Sequence, residues 1–312
     1  MRVEQAISVV TILRTGSFRE AARELEVSQS ALSETVRNLE RELGVTLLER
    51  GRGGVTPTET GERVRPYLEE IATATGRLRE EIALAAVGGR YRLRIGAVTA
   101  AVNTLLPGAV SDLLTTLPGV QTQVIAAGSL DIRVAVLAGR LDAGLVTVTE
   151  AEAGRAAPGL VLVPLLRCGL VVCAPAGHPF AESGEVDPAR LRDERLIAYR
   201  PGYLMHDVIE ELLGAPMPNV VYRTDNTNTA KTMIAAGVGV TVLPEFSVVP
   251  ADGDLPRKLV LRPLGGPPVR IALAAIHRAD DDGEPVRTFA ELLLRRADHS
   301  ATSVSTSVRS TL

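Results

Sequence analysis

Residues 17 to 44 read SFREAARELEVSQSALSETVRNLERELG, and this stretch decides the fold of the N-terminal part of the chain. Apolar side chains recur at helical spacing in both of its halves. Ser17 and Ser28 each stand where a helix N-cap belongs, and Glu20 completes a capping-box pattern with Ser17. The stretch therefore predicts two helices joined by a tight turn at Glu26 and Val27.

The second predicted helix turns polar side chains outward, and a glycine-rich segment, RGRGG at residues 50–54, follows it. Serine, glutamine and arginine side chains hydrogen-bond base edges and phosphates, and a cationic turn forms a wing that reaches the DNA backbone. The predicted DNA contacts are Ser28, Gln29, Ser30, Ser33, Glu34, Arg37, Arg50 and Arg52. From spacing alone, the alternative is a helical hairpin with a solvated polar face, followed by an ordinary solvent loop.

The same residues resemble the N-terminal pattern of the LysR-type transcriptional regulators. The matching motifs are Gly16-Ser17-Phe18, Ala21-Ala22, Ser28-Gln29-Ser30-Ala31-Leu32-Ser33, Leu39-Glu40, Leu43-Gly44 and Thr58-Glu59-Thr60-Gly61. Ser30 replaces the usual proline, which is optional in a first helical turn, and Leu48 replaces a phenylalanine but keeps an apolar plug. The resemblance implies a winged helix-turn-helix that binds double-stranded promoter DNA in a bacterial, cytoplasmic regulator.

The charge of the first 58 residues is balanced. They contain eight arginines and eight glutamates, with no lysine and no aspartate, and the whole chain carries a formal net charge of −3. A DNA-binding domain usually has a basic excess. We therefore expect DNA binding to rest on a local arginine patch and on dimerisation, with a non-specific affinity that is modest and falls steeply with salt.

Residues 58 to about 87 show the spacing of a coiled coil. The apolar seam, with residues four and three apart, is Val64, Leu68, Ile71, Thr75, Leu78, Ile82 and Ala85. A helix packed on its own domain is the alternative interpretation. In the LysR-type family this segment is the linker helix that dimerises, so the resemblance implies a homodimer or a homotetramer.

From Tyr91 onward, short apolar strands alternate with helices, which predicts parallel sheets covered on both faces. The strands are predicted at 92–97, 120–126, 143–146, 170–174, 196–199, 220–225, 240–243 and 269–277. The helices are predicted at 103–117, 130–138, 203–213, 227–236 and 285–296.

Three motifs of this region resemble the effector domain of the same family: LDAG at 141–144, APAGHP at 174–179 and AAGVGVTVLP at 235–244. The resemblance covers about residues 2–296. It implies an α/β fold class with a winged helix-turn-helix (1–58), a linker helix (59–88) and a two-lobed, periplasmic-binding-protein-like α/β effector domain (89–297). Lobe I would comprise about 89–163 and 268–297, and lobe II about 164–267. We expect the Ser- and Thr-rich tail, 298–312, to be disordered.

A small-molecule effector is expected where strands end and helices begin between the two lobes. Hydroxyls and backbone donors at these places suit a small carboxylate, although each hydroxyl could equally be a helix cap. The predicted contacts are Thr99, Ala100, Ser129, Thr147, Tyr203, Leu204 and Thr229. The family commonly has hydroxyls where this chain has Val98, Ala100 and Leu204, which indicates a larger or less polar effector, or a degraded site. Arg200 could neutralise an anion, or could simply be solvated.

The remaining features argue against other classes of protein. The four histidines have no metal-ligand spacing, no cofactor or catalytic motif is present, and we expect the protein not to be an enzyme. Cys168 and Cys173, five apart in one strand run, should face opposite ways and be inert. No signal segment or membrane span is evident. A solute-binding receptor, an α/β enzyme with an added helical domain, and a molybdate-responsive regulator are the alternatives.

Overall fold

The computed structural model describes residues 1–51, 54–86, 91–155, 158–248 and 259–311. The chain divides into two compact units, Met1–Gly88 and Gly89–Leu312. Among the described residues, no helix combines the length and the apolar character needed to cross a membrane.

The described residues of the first unit form four helices and a two-stranded hairpin. Its elements are α1 (Val3–Thr15), α2 (Phe18–Glu24), α3 (Gln29–Leu43), β1 (Leu48–Gly51), β2 (Gly54–Pro57) and α4 (Glu59–Ala86). The two predicted helices are confirmed, with the predicted caps: the Ser17 hydroxyl accepts from the Glu20 N–H (3.4 Å) and the Ser28 hydroxyl from the Ala31 N–H (3.1 Å). Glu26 turns the chain between them with a positive φ of 55°. The antiparallel β1–β2 hairpin is the wing.

An apolar core holds α1, α2, α3 and the start of α4 together. Its buried members are Ala6, Val9, Ile12, Phe18, Ala21, Ala22, Leu32, Val36, Leu39, Leu47, Leu48 and Leu68. Leu48 is buried in this core, as the plug interpretation requires. Truncating a fully buried member such as Ile12 or Leu39 to alanine would cost about 2–5 kcal/mol, so this core fixes the orientation of α3.

The seam of α4 has two different environments. Val64, Leu68 and Ile71 pack against the core of their own unit. Leu78 and Ile82, farther along the same seam, are 61% and 63% exposed. The first half of α4 is therefore packed on its own domain, which was the alternative to a coiled coil. The second half presents an apolar stripe to solvent.

The second unit contains ten strands and seven α-helices in the part of the chain that the structure describes. They are β3 (Tyr91–Ala97), α5 (Thr99–Val102), α6 (Leu106–Thr116), β4 (Val120–Ala126), α7 (Ser129–Leu137), β5 (Ala143–Thr149), α8 (Glu150–Ala153), β6 (Leu160–Cys168), β7 (Leu170–Pro175), β8 (Leu196–Tyr199), α9 (Leu204–Leu213), β9 (Val220–Thr224), α10 (Thr227–Ala235), β10 (Thr241–Pro244), β11 (Leu259–Pro263), β12 (Ile271–Arg278) and α11 (Glu284–Thr311).

The sheets are mixed, so the prediction of wholly parallel sheets is wrong. In lobe I the strand order is β4-β3-β5-β12-β6, where β3 runs parallel to β4 and β5 but β12 runs antiparallel to β5 and β6. In lobe II, β7 pairs antiparallel with β10 and β11, and β8 runs parallel to β9. Parallel pairing needs a helical crossover, and β12 enters lobe I from lobe II without one.

The structure contains two strands, β6 and β11, that the sequence pattern does not predict. β6 lies at the edge of its sheet and contains Pro164 beside a shift in its register with β12, and edge strands and bulges are the places where a sheet tolerates proline. Gly169 separates β6 from β7, so Cys168 and Cys173 belong to strands of two different sheets and not to one strand run.

The last helix is longer than predicted. α11 runs from Glu284 to Thr311 and so passes the predicted end of this helix at residue 296, while the disorder expected for 298–312 stays a prediction. After Pro285, at the start of the helix, the sequence has no proline or glycine to end it. Residue 312 lies outside the described residues.

Candidate functional sites

The exposed face of α3 carries most of the predicted DNA contacts. Ser28, Gln29, Ser30, Glu34 and Arg37 are exposed, and Ser33 is half-buried. The Ser28 and Ser30 hydroxyls lie 3.0 Å apart at the start of the helix. The cap at Ser28 thus leaves the first turn of α3 open to solvent, as a recognition helix requires.

Two arginines converge on Ser33 from different elements. The Arg50 guanidinium, on the wing, donates to the Ser33 hydroxyl (3.2 Å) and lies 4.0 Å from the centre of the Phe18 ring. Arg37 donates from Nε to the Ser33 carbonyl (3.2 Å). Together with Val36, Glu40 and Leu48, these residues line a hollow of about 350 Å³. A cationic hollow with an apolar floor can seat a phosphate group.

The balanced charge of residues 1–58 is unevenly distributed. Arg14 pairs with Glu24, the N-terminal ammonium pairs with Glu42, and Glu40 accepts from the Leu47 and Leu48 N–H groups at 2.7 and 3.2 Å. In the described part of this unit, Arg37 and Arg50 form no ion pair with a carboxylate. A local cationic patch therefore exists within residues 1–58, whose net charge is zero. Arg52, the remaining predicted contact, lies outside the described residues.

A second candidate site lies between the lobes of the second unit. The cavity measures about 40 Å³, room for roughly three water molecules. Its lining residues are Val98, Thr99, Ala100, Thr147, Tyr199, Tyr203, Leu204, Met205, Asp225, Thr227, Pro244 and Ser247. The walls come from the ends of β3, β5, β8, β9 and β10 and from the starts of α5, α9 and α10, because these strand ends face each other across the lobes.

Five of the seven predicted effector contacts line this cavity: Thr99, Ala100, Thr147, Tyr203 and Leu204. Ser129 lies one layer behind, where its hydroxyl is 3.0 Å from the Thr147 hydroxyl and accepts from the Thr147 N–H (3.1 Å). Thr229 is not a lining residue; its N–H is taken by the Asn226 side chain (3.2 Å).

Sequence reasoning missed seven lining residues: Val98, Tyr199, Met205, Asp225, Thr227, Pro244 and Ser247. Several flank predicted residues, and a signal existed for Asp225 and Thr227, which stand at the end of a predicted strand and at the start of a predicted helix. No sequence signal marked Ser247, which the fold brings to the cavity from a turn after β10.

The two tyrosines of the cavity are held in their neutral form. Burial raises the pKa of Tyr199, whose hydroxyl donates to the Thr227 hydroxyl (3.2 Å). Burial also raises the pKa of Tyr203, and the carboxylates of Asp225 and Asp131 raise it further, while Arg200 opposes them. The rings lie 6.3 Å apart. At neutral pH both phenols are therefore uncharged hydrogen-bonding groups beside an apolar surface.

Two contacts bring the lobes together at the rim of the cavity. The Asn103 side-chain amide donates to the Asn228 side-chain oxygen (3.0 Å). The Tyr203 ring lies over Gly128, where a Cβ would come within 3.3 Å of the ring and 3.0 Å of the Gly202 carbonyl oxygen. Glycine at 128 thus permits this close approach.

The charged and sulfur-bearing groups near the cavity are engaged or protonated. Arg200, an exposed residue, pairs with Asp225 (3.5 Å). Burial raises the pKa of both Cys168 and Cys173 to about 12, and both are free thiols. His178 accepts from the Phe180 N–H (3.2 Å) and lies 3.3 Å from Glu194, which indicates a structural role.

Both halves of the chain match known protein families. Residues 4–62 match the model of bacterial regulatory helix-turn-helix proteins of the lysR family, and residues 87–298 match that of the LysR substrate binding domain. The chain is 28% identical over 299 residues to the probable HTH-type transcriptional regulator LrrA of Synechococcus elongatus, covering 95% of this chain and 98% of that relative.

Solved structures resemble the chain over nearly its whole length. A full-length, singly substituted OxyR from Pseudomonas aeruginosa has a TM-score of 0.60 and 26% identity, and the match covers 95% of this chain and 94% of that one. CbnR, a LysR family transcriptional regulator, has a TM-score of 0.65 and 20% identity, and the match covers 95% of this chain and 99% of that one. The likeness to CbnR is one of fold.

Proposed function

Since this chain belongs to the LysR family of bacterial transcriptional regulators, we propose that α3 and the wing bind promoter DNA and that a small molecule between the lobes modulates this binding. The observation that carries the first part is the convergence of Arg37 and Arg50 on Ser33 at the exposed face of α3. No catalytic role is assigned to any residue, and the protein acts as a regulator and not as an enzyme.

The DNA contacts divide into two kinds. Gln29, Ser30 and Glu34 stand on the exposed part of α3, where side chains reach base edges in a major groove. Arg37 and Arg50 flank the hollow beside α3 and contact phosphates, which position the helix without reading sequence. Arg52 is proposed as a further phosphate or minor-groove contact of the wing.

Oligomerisation follows from the second half of α4. Leu78 and Ile82 expose a large apolar area at coiled-coil spacing, and a second copy of the same helix would bury it. A homodimer presents two α3 helices to a partly palindromic operator. Two such dimers would form a tetramer.

The effector would lie in the cavity between lobes I and II. A cavity of about 40 Å³ is too small for a drug-sized molecule, so binding must separate the Asn103–Asn228 and Gly128–Tyr203 contacts or rearrange the lining. A ligand that prefers one lobe arrangement shifts the population of that arrangement, and DNA affinity changes by the same coupling free energy.

DNase I footprinting on the DNA upstream of the gene for this protein tests the DNA-binding proposal. We expect two protected half-sites whose centres are separated by a whole number of helical turns, as a symmetric dimer requires. The Arg50→Ala variant should lose the footprint at protein concentrations where an Arg41→Ala variant keeps it. Arg41 lies near the C-terminal end of α3, where its side chain donates to the Asn38 side-chain oxygen (3.0 Å). A single diffuse protection, unchanged in the Arg50→Ala variant, would contradict the proposal.

A further inference from the structure

The charge on the described lining of the inter-lobe cavity is negative. Asp225 lines the cavity, and the described lining residues include no arginine, lysine or histidine. Asp131, in the first turn of α7, also lies close enough to influence Tyr203 electrostatically. Among the described residues, three charged groups affect the pKa of Tyr203. Two are the carboxylates of Asp225 and Asp131, which raise it, and one is the Arg200 guanidinium, which lowers it.

The cations nearest the cavity already have acceptors. Arg200 pairs with Asp225 (3.5 Å), Lys231 donates to the Ser247 carbonyl (3.1 Å), and Arg223 donates to the Tyr199 carbonyl (3.4 Å). Lys231 and Arg223 do not line the cavity, and an anionic ligand inside it would face the Asp225 carboxylate, with which Arg200 is already paired. A cationic ligand faces that carboxylate directly and only has to displace the exposed Arg200 side chain.

Two of the three helix N-termini at the cavity, those of α9 and α10, give little help to an anion, and the third belongs to the four-residue helix α5, which has no side-chain cap. The Asn226 side chain already accepts from the N–H groups of Asn228 and Thr229 at the start of α10 (2.8 and 3.2 Å). At the start of α9, Asp207 places a carboxylate in the first turn. Both helix dipoles are thus partly offset by groups of the protein itself.

Apart from Asp225, the lining combines hydrocarbon and aromatic surface with the hydroxyls of Thr99, Thr147, Thr227 and Ser247, which can donate to or accept from a ligand of either charge. Val98, Ala100, Leu204, Met205 and Pro244 provide hydrocarbon surface. Tyr199 and Tyr203 add two ring faces, which attract cations through their quadrupoles. Carboxylate, aromatic rings and hydrocarbon together form the environment that recognises an ammonium group on a short apolar chain.

We propose that the effector is a small amine, whose ammonium group replaces the Arg200 guanidinium beside Asp225 and whose hydrocarbon part packs on the apolar lining. This inference rests on the proposed function, because it names the ligand class of the same inter-lobe cavity. A small amine is a different ligand class from the small carboxylate that the hydroxyl groups of the sequence indicated.

Three isosteric probes test the charge preference: n-butylamine, 1-butanol and sodium butyrate, which are a cation, a neutral molecule and an anion at neutral pH. Binding to the full-length protein is followed by tyrosine fluorescence. The chain has no tryptophan, and two of its five tyrosines line the cavity. We expect butylamine to reach half-saturation at a concentration about tenfold lower than butyrate, with butanol between them.

Two variants with the same change of charge locate the preference. Asp225→Asn should bring the half-saturation concentrations of the three probes within about threefold of one another. Asp280→Asn removes an exposed carboxylate on the turn after β12 and should keep the wild-type order. Circular dichroism establishes that both variants are folded.

Three results would overturn the inference: a butyrate preference in the wild type, no response to any probe, or an amine preference that survives Asp225→Asn. The DNA-binding proposal is measured separately by footprinting without any ligand, so it can stand if the amine inference fails. Absence of a footprint for the wild-type protein, with retained amine binding, would instead overturn the DNA-binding proposal alone.

Discussion

The Asn103 side-chain amide, in lobe I, donates a hydrogen bond of 3.0 Å to the Asn228 side-chain oxygen in lobe II. The Asn228 N–H in turn donates to the side chain of Asn226, which caps α10 (2.8 Å). The bond between the lobes therefore joins the rim of lobe I to the start of a cavity-lining helix. It is exposed, so it can break without opening the core of either lobe.

Replacing Asn103 by alanine should loosen the lobes without unfolding them. A net hydrogen bond contributes about 1 kcal/mol, so we expect the amides of Leu204 and Met205 to exchange hydrogen about fivefold faster. The melting temperature should change little because the bond is exposed. Hydrogen exchange with mass spectrometry measures this. Thr115→Ala, which removes a hydroxyl bonded within α6, is the control; equal exchange in wild type and the Asn103 variant would contradict the prediction.

Replacing Arg37 or Arg50 by alanine should lower the affinity for DNA and should also make that affinity less dependent on salt concentration. Each phosphate contact that is removed reduces the slope of log affinity against log salt by about one unit. Affinity measured between low and moderate salt gives this slope. Arg41→Ala should keep the wild-type slope, because this side chain bonds Asn38 at the far end of α3. A slope that falls equally in all three variants would mean that the patch has no special role.

Placing glutamate at both Leu78 and Ile82 should dissociate the oligomer. Both side chains are largely exposed in the single chain, so the change costs the monomer little, whereas two charges in an apolar helix interface are strongly unfavourable. Multi-angle light scattering should give the mass of one chain for the variant. An Arg79→Ala variant should remain oligomeric. An unchanged mass for the double variant would place the interface elsewhere.

The buried ion pair of lobe I should be essential for stability. Arg94 donates to Asp142 at 2.8 and 3.1 Å, and the Asp142 carboxylate also accepts from the Arg94 N–H (2.8 Å). Asp142→Ala removes the carboxylate that accepts from the half-buried Arg94 side chain and from its N–H, and should lower the free energy of unfolding by about 3–5 kcal/mol. Urea denaturation measures the decrease. The exposed Asp280, whose replacement by alanine should cost less than about 1 kcal/mol, gives the control.

The thiols should make the protein sensitive to alkali. In the folded state the pKa of Cys168 and of Cys173 is raised to about 12 from the ordinary 9.0, so the folded protein holds these protons more tightly than the unfolded chain. Their contribution to stability is complete below pH 9 and is lost as the pH rises toward 12. The raised pKa of Tyr199 acts in the same direction. Urea denaturation between pH 9 and 12 should show that the free energy of unfolding falls less steeply with pH when both cysteines are replaced by alanine. An equally steep fall in the wild type and in this variant would contradict the effect assigned to thiol burial.

The helices α2 and α3 could be predicted because their N-caps and apolar spacing depend only on neighbouring residues. Ser17 and Ser28 cap the helices as predicted, since a cap depends on residues within one turn. The antiparallel partners β6 and β11 escaped prediction because their pairing involves strands far away along the chain. The same is true of the cavity: Thr99 and Thr147 are found at strand ends, but Ser247 arrives there only through the fold.

The charge pattern of the cavity could not be predicted for the same reason. Asp225 and Asp131 belong to different lobes and approach the same tyrosine only when the lobes meet. Two of the predicted contacts, Ser129 and Thr229, prove to be engaged by the Thr147 backbone and the Asn226 cap. Hydroxyls at helix starts thus divide between ligand-facing and capping positions, which sequence spacing alone does not distinguish.

Fluorescence anisotropy at physiological salt tests the central claim most directly, by comparing the affinity of the wild-type protein for its own upstream DNA with that for a scrambled fragment of equal length. A sequence-specific regulator should prefer the upstream fragment by about 10³-fold or more. Arg37→Ala and Arg50→Ala should weaken binding to both fragments, because phosphate contacts carry no sequence information. Equal affinities of the wild-type protein for the two fragments would contradict the account.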